Sequence, residues 1–423
     1  LLDANGGEWF ISTSGDNSSA GTQSAPWATL DYALGRVSPG DTIYLASGTY
    51  VDSAVTKISG AASSPITISG PIGAEAIVGP GRLTLRHSYY VVRHLHFRSN
   101  YLALDGTDCI GNVIVSNVFS SGIQGLYMQR GNADTSGTNA PSFNHVILNV
   151  FTNLLGNGAV VTMGTSNVVS SNLFANLNGY DALRVWGVGT RISENRFERI
   201  ISGTEAGHSN HADVIQTFAS SASGLWAVGV VFERNMLVDC TSQFGNLEAQ
   251  YGNPNMGSWT FRNNLFVNSR LQINNYLPGL SFYNNTAISN LWSLGFRFAF
   301  STDKGQAHSG RVFNNIFVRC DGFYSFASGL TNCVADYNLI TGLGDEAKIA
   351  PTEGPHSING GYTPYQIFED FVQMDFCLRA DSPARGAGVV PLLFREDISA
   401  RTDPYNMGAN VPERPKGMRV LSK

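Results

Sequence analysis

Charge is scarce in this sequence. Asp, Glu, Lys and Arg make up 14% of 423 residues and the net charge is -5, so the chain carries no basic footprint for nucleic acid, and an acidic ligand must be met by a local cluster. It has no run of ~18 apolar residues, which excludes a membrane-spanning helix. The five cysteines, Cys109, Cys240, Cys320, Cys333 and Cys377, lack metal-ligand spacing. Their odd number leaves at least one unpaired in a monomer, the expected state, and they read as small buried hydrophobes. No initiator Met opens the chain, which fits a processed, secreted or periplasmic protein. What is plentiful is Gly, 46 residues, and 43% hydrophobic residues, enough to build a large core from short strands and many turns.

The chain opens with an apolar strand at Glu8–Thr13. Then comes a segment in which Leu30, Ala33, Leu34 and Val37 recur at helical spacing before Pro39 and Gly40 stop the helix. Asp41–Ala46 and Gly48–Tyr50 return to strand. The stretch PWATLDYALGRVSPGDTIYLASGTY, Pro26–Tyr50, resembles the opening of secreted right-handed parallel β-helix proteins of the pectate-lyase-like superfamily, where a capping helix precedes a PGDT-type turn and the first coil. The resemblance covers about 25 residues and speaks to the fold rather than to a reaction.

Beyond this opening the chain repeats. Motifs such as SNVF, SNLF and NNIF place one Asn per unit at 117, 149, 172, 195, 235, 264, 285, 315 and 338. The intervals run from 21 to 40 residues, as expected for a basal coil of about 21 to 23 residues carrying insertions. An inward Asn at a sharp turn bonds its neighbours above and below, and the residue two places later fills the core. In Val91–Phe97, Leu95 takes the Asn position. The expected fold is all-β, a right-handed parallel β-helix with an N-terminal capping helix and an irregular C-terminal tail. The expected division is 1–50 for strand and cap, 51–347 for the coils, and 348–423 for a tail packed along the solenoid or closing its end.

The strand ahead of each Asn turn stacks without gaps: Val160–Met163, Leu183–Trp186, Ile215–Phe218, Leu247–Gln250, Leu271–Asn274 and Phe296–Ala299. Alternation sends Val160, Leu183, Ile215, Leu247, Leu271 and Phe296 inward. It leaves one outward column of Arg184, Gln216, Glu248, Gln272 and Arg297, and a second of Trp186, Phe218, Gln250 and Asn274. A polar ridge beside aromatics suits a sugar chain, whose hydroxyls and carboxylates need fixed partners while its ring faces stack.

The longest interval, between Asn195 and Asn235, holds a polar insertion with Glu205, His208 and His211, and long loops on a regular scaffold are often functional. Either His can carry a proton near neutral pH. Asp181 and Asp213 precede equivalent strands, one coil or ~5 Å apart; such a pair splits its pKa values or shares a cation, and a Ca²⁺ site is a possibility there, with Asn210 or Glu205 to complete it.

The resemblance implies an extracellular polysaccharide as substrate and admits several reactions. A lyase acting on a uronate-containing glycan requires a base and a cation for the carboxylate: Arg184, Arg297 or Arg270 as cation, His208 or His211 as proton carrier, and Lys304 as an alternative base, since many lyases of this fold use Lys or Arg. A glycoside hydrolase requires two carboxylates, for which Asp181 and Asp213 are best spaced and Glu205 or Glu248 can join. An epimerase or a glycan-binding module is the third reading. The calcium-binding Asp cluster of pectate lyases is not found in this sequence.

Overall fold

The computed structural model of the chain describes residues 6–129, 139–156, 158–202, 212–218, 226–247, 256–275, 277–288, 297–300, 309–318, 324–326, 332–342, 354–389 and 408. Among these, three long parallel sheets contain 13, 11 and 13 strands. Each turn of chain visits them in one order: Val113–Val115 in the first sheet, Val118–Ser120 in the third, Leu126–Gln129 in the second, then His145–Ile147 back in the first. Neighbouring strands therefore belong to successive turns, and the expected parallel β-helix is what the chain forms. A strand of the first sheet intervenes between the second sheet and each Asn turn; Val168–Ser170 separates Val160–Thr162 from Asn172. That corrects the expectation that second-sheet strands run straight into the turn.

The repeat has two physical parts. At the corner between the first and third sheets, the residue before each ladder Asn, from Ser116 to Tyr337, takes a left-handed backbone with φ between 52° and 59°, and this turns the chain within one residue. The Asn that follows is buried and donates its Nδ2 to the Oδ1 of the next Asn at 2.9 to 3.2 Å, unbroken from Asn117 to Asn338. Each left-handed corner costs about 1 kcal/mol or more, and two or three net hydrogen bonds of about 1 kcal/mol each offset it. Leu95 begins the column as expected, its N–H held by Asn117 Oδ1 at 3.0 Å; at the other end Ser357 Oγ accepts from the Asn338 N–H at 3.1 Å.

Two residues on, Phe97, Phe119, Phe151, Phe174 and Phe197 stack with centroids 4.6 to 4.9 Å apart and planes within 10°. A second, shorter ladder of Asn112, Asn144 and Asn167, with contacts of 3.0 and 3.2 Å, lies at the entrance to the first sheet. Its sequence signal was an Asn five residues before three of the ladder Asn.

At the start, Glu8–Ile11 pairs with Thr42–Leu45, and the helix is a single turn, Leu30–Leu34, shorter than its pattern, with Leu30, Ala33 and Leu34 buried. Asp41 of the PGDT turn accepts from the Gly7 N–H, Trp9 Nε1 and the Ser38 N–H at 2.6 to 2.9 Å, tying the first strand to the second. In the tail, Ile358–Asn359 adds a strand to the third sheet. A hairpin of Phe368–Asp370 and Asp375–Leu378 follows. Ile367, Phe368 and Phe376 pack with Leu265, Val267, Ile288, Ile316, Val318 and Leu339, so the tail lies on the last coils of the third sheet. Cys109 and Cys240 are buried thiols. Among the described residues no helix is long and apolar enough to cross a membrane.

Candidate functional site

The candidate face is the outer side of the second sheet. Its register places Leu183 on Val160 and Arg184 on Val161, then Ile215 on Leu183 and Gln216 on Arg184, as the sequence pattern expects. The next coil differs: Gly245 stacks on Ile215 and Asn246 on Gln216, with Ile273 and Asn274 following. The register from Arg184 therefore runs through Gln216, Asn246, Asn274 and Ala299, with Gln216 and Asn246 buried at 8% and 9% exposure. Glu248 does not stand opposite Gln216, and Gln272 and Arg297, still paired with each other, do not continue the Arg184 column. Phe244 of the same strand enters the core against Phe232, Phe261 and Phe266 at 5.0 to 5.4 Å, an aromatic burial worth roughly 2 to 3 kcal/mol.

Arg184 is the best-fixed charge on this face. Its Nε donates to Asp181 Oδ2 at 2.7 Å, while Asp181 Oδ1 accepts the Asp213 N–H at 2.9 Å. Asp181 is 3% exposed and Asp213 fully buried, so one carboxylate joins two coils and aims a guanidinium that is itself 25% exposed. Gly158 beside it has a φ of 133°, a backbone conformation that other residues rarely adopt. Arg262, on the first sheet, is differently employed: it donates to the buried Glu233 at 2.6 Å and to Tyr283 Oη at 3.1 Å.

Trp186 is not the open stacking platform its column suggested. It is 5% exposed, donates Nε1 to the Phe218 carbonyl at 2.6 Å, and meets the Phe218 ring edge-on at 5.0 Å and 83°. With Ala140, Val161 and Met163 it forms a small apolar cluster. Phe218 remains partly exposed, its ring 5.8 Å from Arg184 Cζ.

One coil earlier, Tyr127 pairs in register with Val161 and meets Tyr101 at 6.1 Å, with Arg82 over Tyr101. Aromatic surface thus continues toward the N-terminal coils, in a strand, Leu-Tyr-Met-Gln, that fits the same four-residue frame. Glu205, His208, His211, Glu248 and Lys304 lie outside the described residues.

A calcium ion does not fit the described residues. Both Asp181 oxygens already accept hydrogen bonds, and among the described residues no group of three or more His, Cys, Asp or Glu is placed to hold a metal.

Solved structures share this architecture. The complex of XylC with xylose matches with a TM-score of 0.57 at 11% identity, covering 84% of this chain and 86% of that one. The pectate lyase Pel9A matches at 0.56 and 16%, covering 96% and 97%. The fold is the parallel β-helix of the pectate-lyase-like structures. A lacto-N-biosidase from Eubacterium ramulus, at 0.51 and 12%, covers 84% of this chain and 67% of its own. At such identities the likeness concerns the fold. No family model matches the chain, and no curated protein matches it in sequence.

Proposed function

We propose that the chain is a secreted carbohydrate-active enzyme that cleaves a uronate-containing polysaccharide by β-elimination. The observation that carries this reading is Arg184, a partly exposed guanidinium fixed by the buried Asp181, with Gln216 and Asn246 stacked in register on the next two coils. With Nε spent on Asp181, the terminal amino groups of Arg184 remain to grip a substrate carboxylate, and a guanidinium matches that shape bidentately.

Elimination needs little more. A base takes the proton α to the carboxylate, the electron pair forms the new double bond, and the glycosidic oxygen leaves and is protonated. Arg184 stabilises the enolate-like charge that builds in between. His211, two residues before Asp213, is our first choice as base, with His208 and Lys304 as alternatives.

The pectate lyase that spans nearly the whole chain is consistent with this chemistry, whereas the biosidase of the same fold favours hydrolysis. Between them, the engagement of Asp181 supports elimination. A hydrolase needs two carboxylates free for acid and nucleophile or base, and Asp181 is committed on both oxygens.

A panel of polygalacturonate, alginate and neutral xylan tests the reading, following ultraviolet absorbance of unsaturated ends alongside reducing ends. Both signals should rise together on one acidic polymer. Reducing ends without absorbance would replace the lyase with a hydrolase. Binding without either signal would leave a glycan-binding module.

A further inference from the structure

A second group of reactive side chains stands on a different face of the coil. The outward positions of the third sheet change character along the molecule. Over the last coils they are apolar, Leu265, Val267, Ile288, Ile316, Val318 and Leu339, and the tail packs on them. Over the first coils they are His96, Arg98 and Ser120, from strands His96–Arg98 and Val118–Ser120.

There, Ser120 Oγ lies 2.7 Å from His96 Nε2. On the far side of the ring, Nδ1 lies 3.3 Å from Glu75 Oε1, and Arg98 reaches the other Glu75 oxygen at 3.5 Å. A hydroxyl, an imidazole and a carboxylate in that order, bonded through opposite ring nitrogens, have the connectivity of a hydrolytic triad.

We propose that Ser120, His96 and Glu75 hydrolyse short acyl esters, an activity separate from, and not resting on, the glycan site at Arg184. Glu75 accepts a hydrogen bond from Nδ1–H, which leaves the Nε2 lone pair for the Ser120 hydroxyl. Arg98 Nη2 also stands 3.4 Å from Nδ1, but a guanidinium only donates, so it competes for Nδ1 only in the other tautomer; its contact with Glu75 secures the carboxylate. Burial, and then the Arg98 charge, hold the His96 pKa below its ordinary 6.5, so the ring is in its basic form at neutral pH.

The reaction balances with water alone. Ser120 Oγ attacks the ester carbonyl carbon and passes its proton to Nε2. The ester C–O bond breaks, and the alkoxide leaves with that proton as an alcohol. Water, deprotonated by the same nitrogen, then attacks the acyl-Ser120 and releases a carboxylic acid. Arg98, paired in register with Ser120 at the ~4.8 Å strand spacing, is the cation beside the developing oxyanion. An outward sheet face suits a small acyl group carried on a large molecule, so an O-acetyl ester is the expected class.

The whole chain should hydrolyse p-nitrophenyl acetate, and a fluorophosphonate probe should attach to Ser120, located by peptide mass spectrometry. Ser120→Ala and His96→Gln should each lower the rate by about 100-fold or more, while Thr152→Ala, one coil along, should leave labelling of Ser120 intact. Glu75 is a positioning residue: Glu75→Gln should shift the pH–rate profile to lower pH, because the carboxylate raises the His96 pKa, and a merely structural role would leave the profile in place. Absence of labelling at Ser120 in the wild-type protein, or wild-type hydrolysis by Ser120→Ala, overturns the proposal whatever the folding of the other variants.

Discussion

Asp181→Asn separates the two tasks of one carboxylate. The amide keeps an oxygen to accept the Asp213 N–H, now at 2.9 Å, but loses the charge that holds Arg184 Nε at 2.7 Å. Removing one partner of a fully buried ion pair costs about 3 to 5 kcal/mol, and an exposed pair contributes at most about 1 kcal/mol. Arg184 is 25% exposed and Asp181 3%, so partial screening places the cost near 2 kcal/mol. If the same fraction of alignment is lost at the barrier, about 2 kcal/mol corresponds to roughly 30-fold in kcat/KM. Arg184→Ala, which removes the donor itself, should cost about 100-fold or more. Initial rates on the responsive polysaccharide, with near-ultraviolet dichroism to check folding, provide the measurement. Near wild-type rates for both variants would refute the assignment of this face. A loss in Arg184→Ala with none in Asp181→Asn would show that the aim of Arg184 comes from elsewhere.

Three further outcomes follow from the scaffold. Asn195→Ala strips the Asn172 N–H and Nδ2 of their acceptor and leaves the Val169 carbonyl and Asn235 Oδ1 each one donor short; at about 1 kcal/mol per buried group the loss should be ~4 kcal/mol. Asn338→Ala, at the ladder's end, should cost less, and urea denaturation of the two variants gives the order. The thiols of Cys109 and Cys240 are pushed up to about 12, burial being the main cause, so a maleimide at pH 8 should modify neither until the chain is unfolded. His96, whose native pKa lies below 6.5, binds its proton more weakly folded than unfolded. It therefore contributes stability above pH 6.5 that drains away as pH falls toward its native pKa, and His96→Gln should flatten the melting temperature between pH 7 and pH 5.

The coil was legible because its corner needs a particular side chain. A left-handed residue followed by a buried amide recurs at each turn between the first and third sheets, and only Asn supplies a donor to the coil on one side and an acceptor to the coil on the other within so short a side chain. Even the exception obeyed the rule: Leu95, where the column starts, has its N–H satisfied by Asn117 and itself donates no amide. The first-sheet strand between the second sheet and the Asn turn escaped notice for an equally physical reason. Val-Val-Ser and Arg-Ile-Ser are three residues long, too short for alternation to stand out from the turn that follows.

The site was legible only as far as parity reaches. Arg184 over Val161 and Gln216 over Arg184 were correct because Leu183 and Ile215 leave one choice. At the next coil Gly-Asn-Leu and Leu-Glu-Ala compete for the same place, and both put an apolar or small residue inward on each side of a polar one. A slip of one residue would have exposed Leu247, but a slip of two leaves every face unchanged. Hydrophobic pattern cannot detect it; only the backbone pairing of Asn246 with Gln216 does. The consequence is chemical. With Asn246 rather than Glu248 opposite Gln216, an amide stands where the sequence pattern drew a carboxylate, which suits the polyanionic sugar chain proposed above. Phe244→Ala, which opens a cavity beneath the strand that carries Asn246, should weaken binding of the acidic polymer although Phe244 lies wholly inside the core; unchanged affinity in a folded Phe244→Ala protein would separate the packing of this strand from the site.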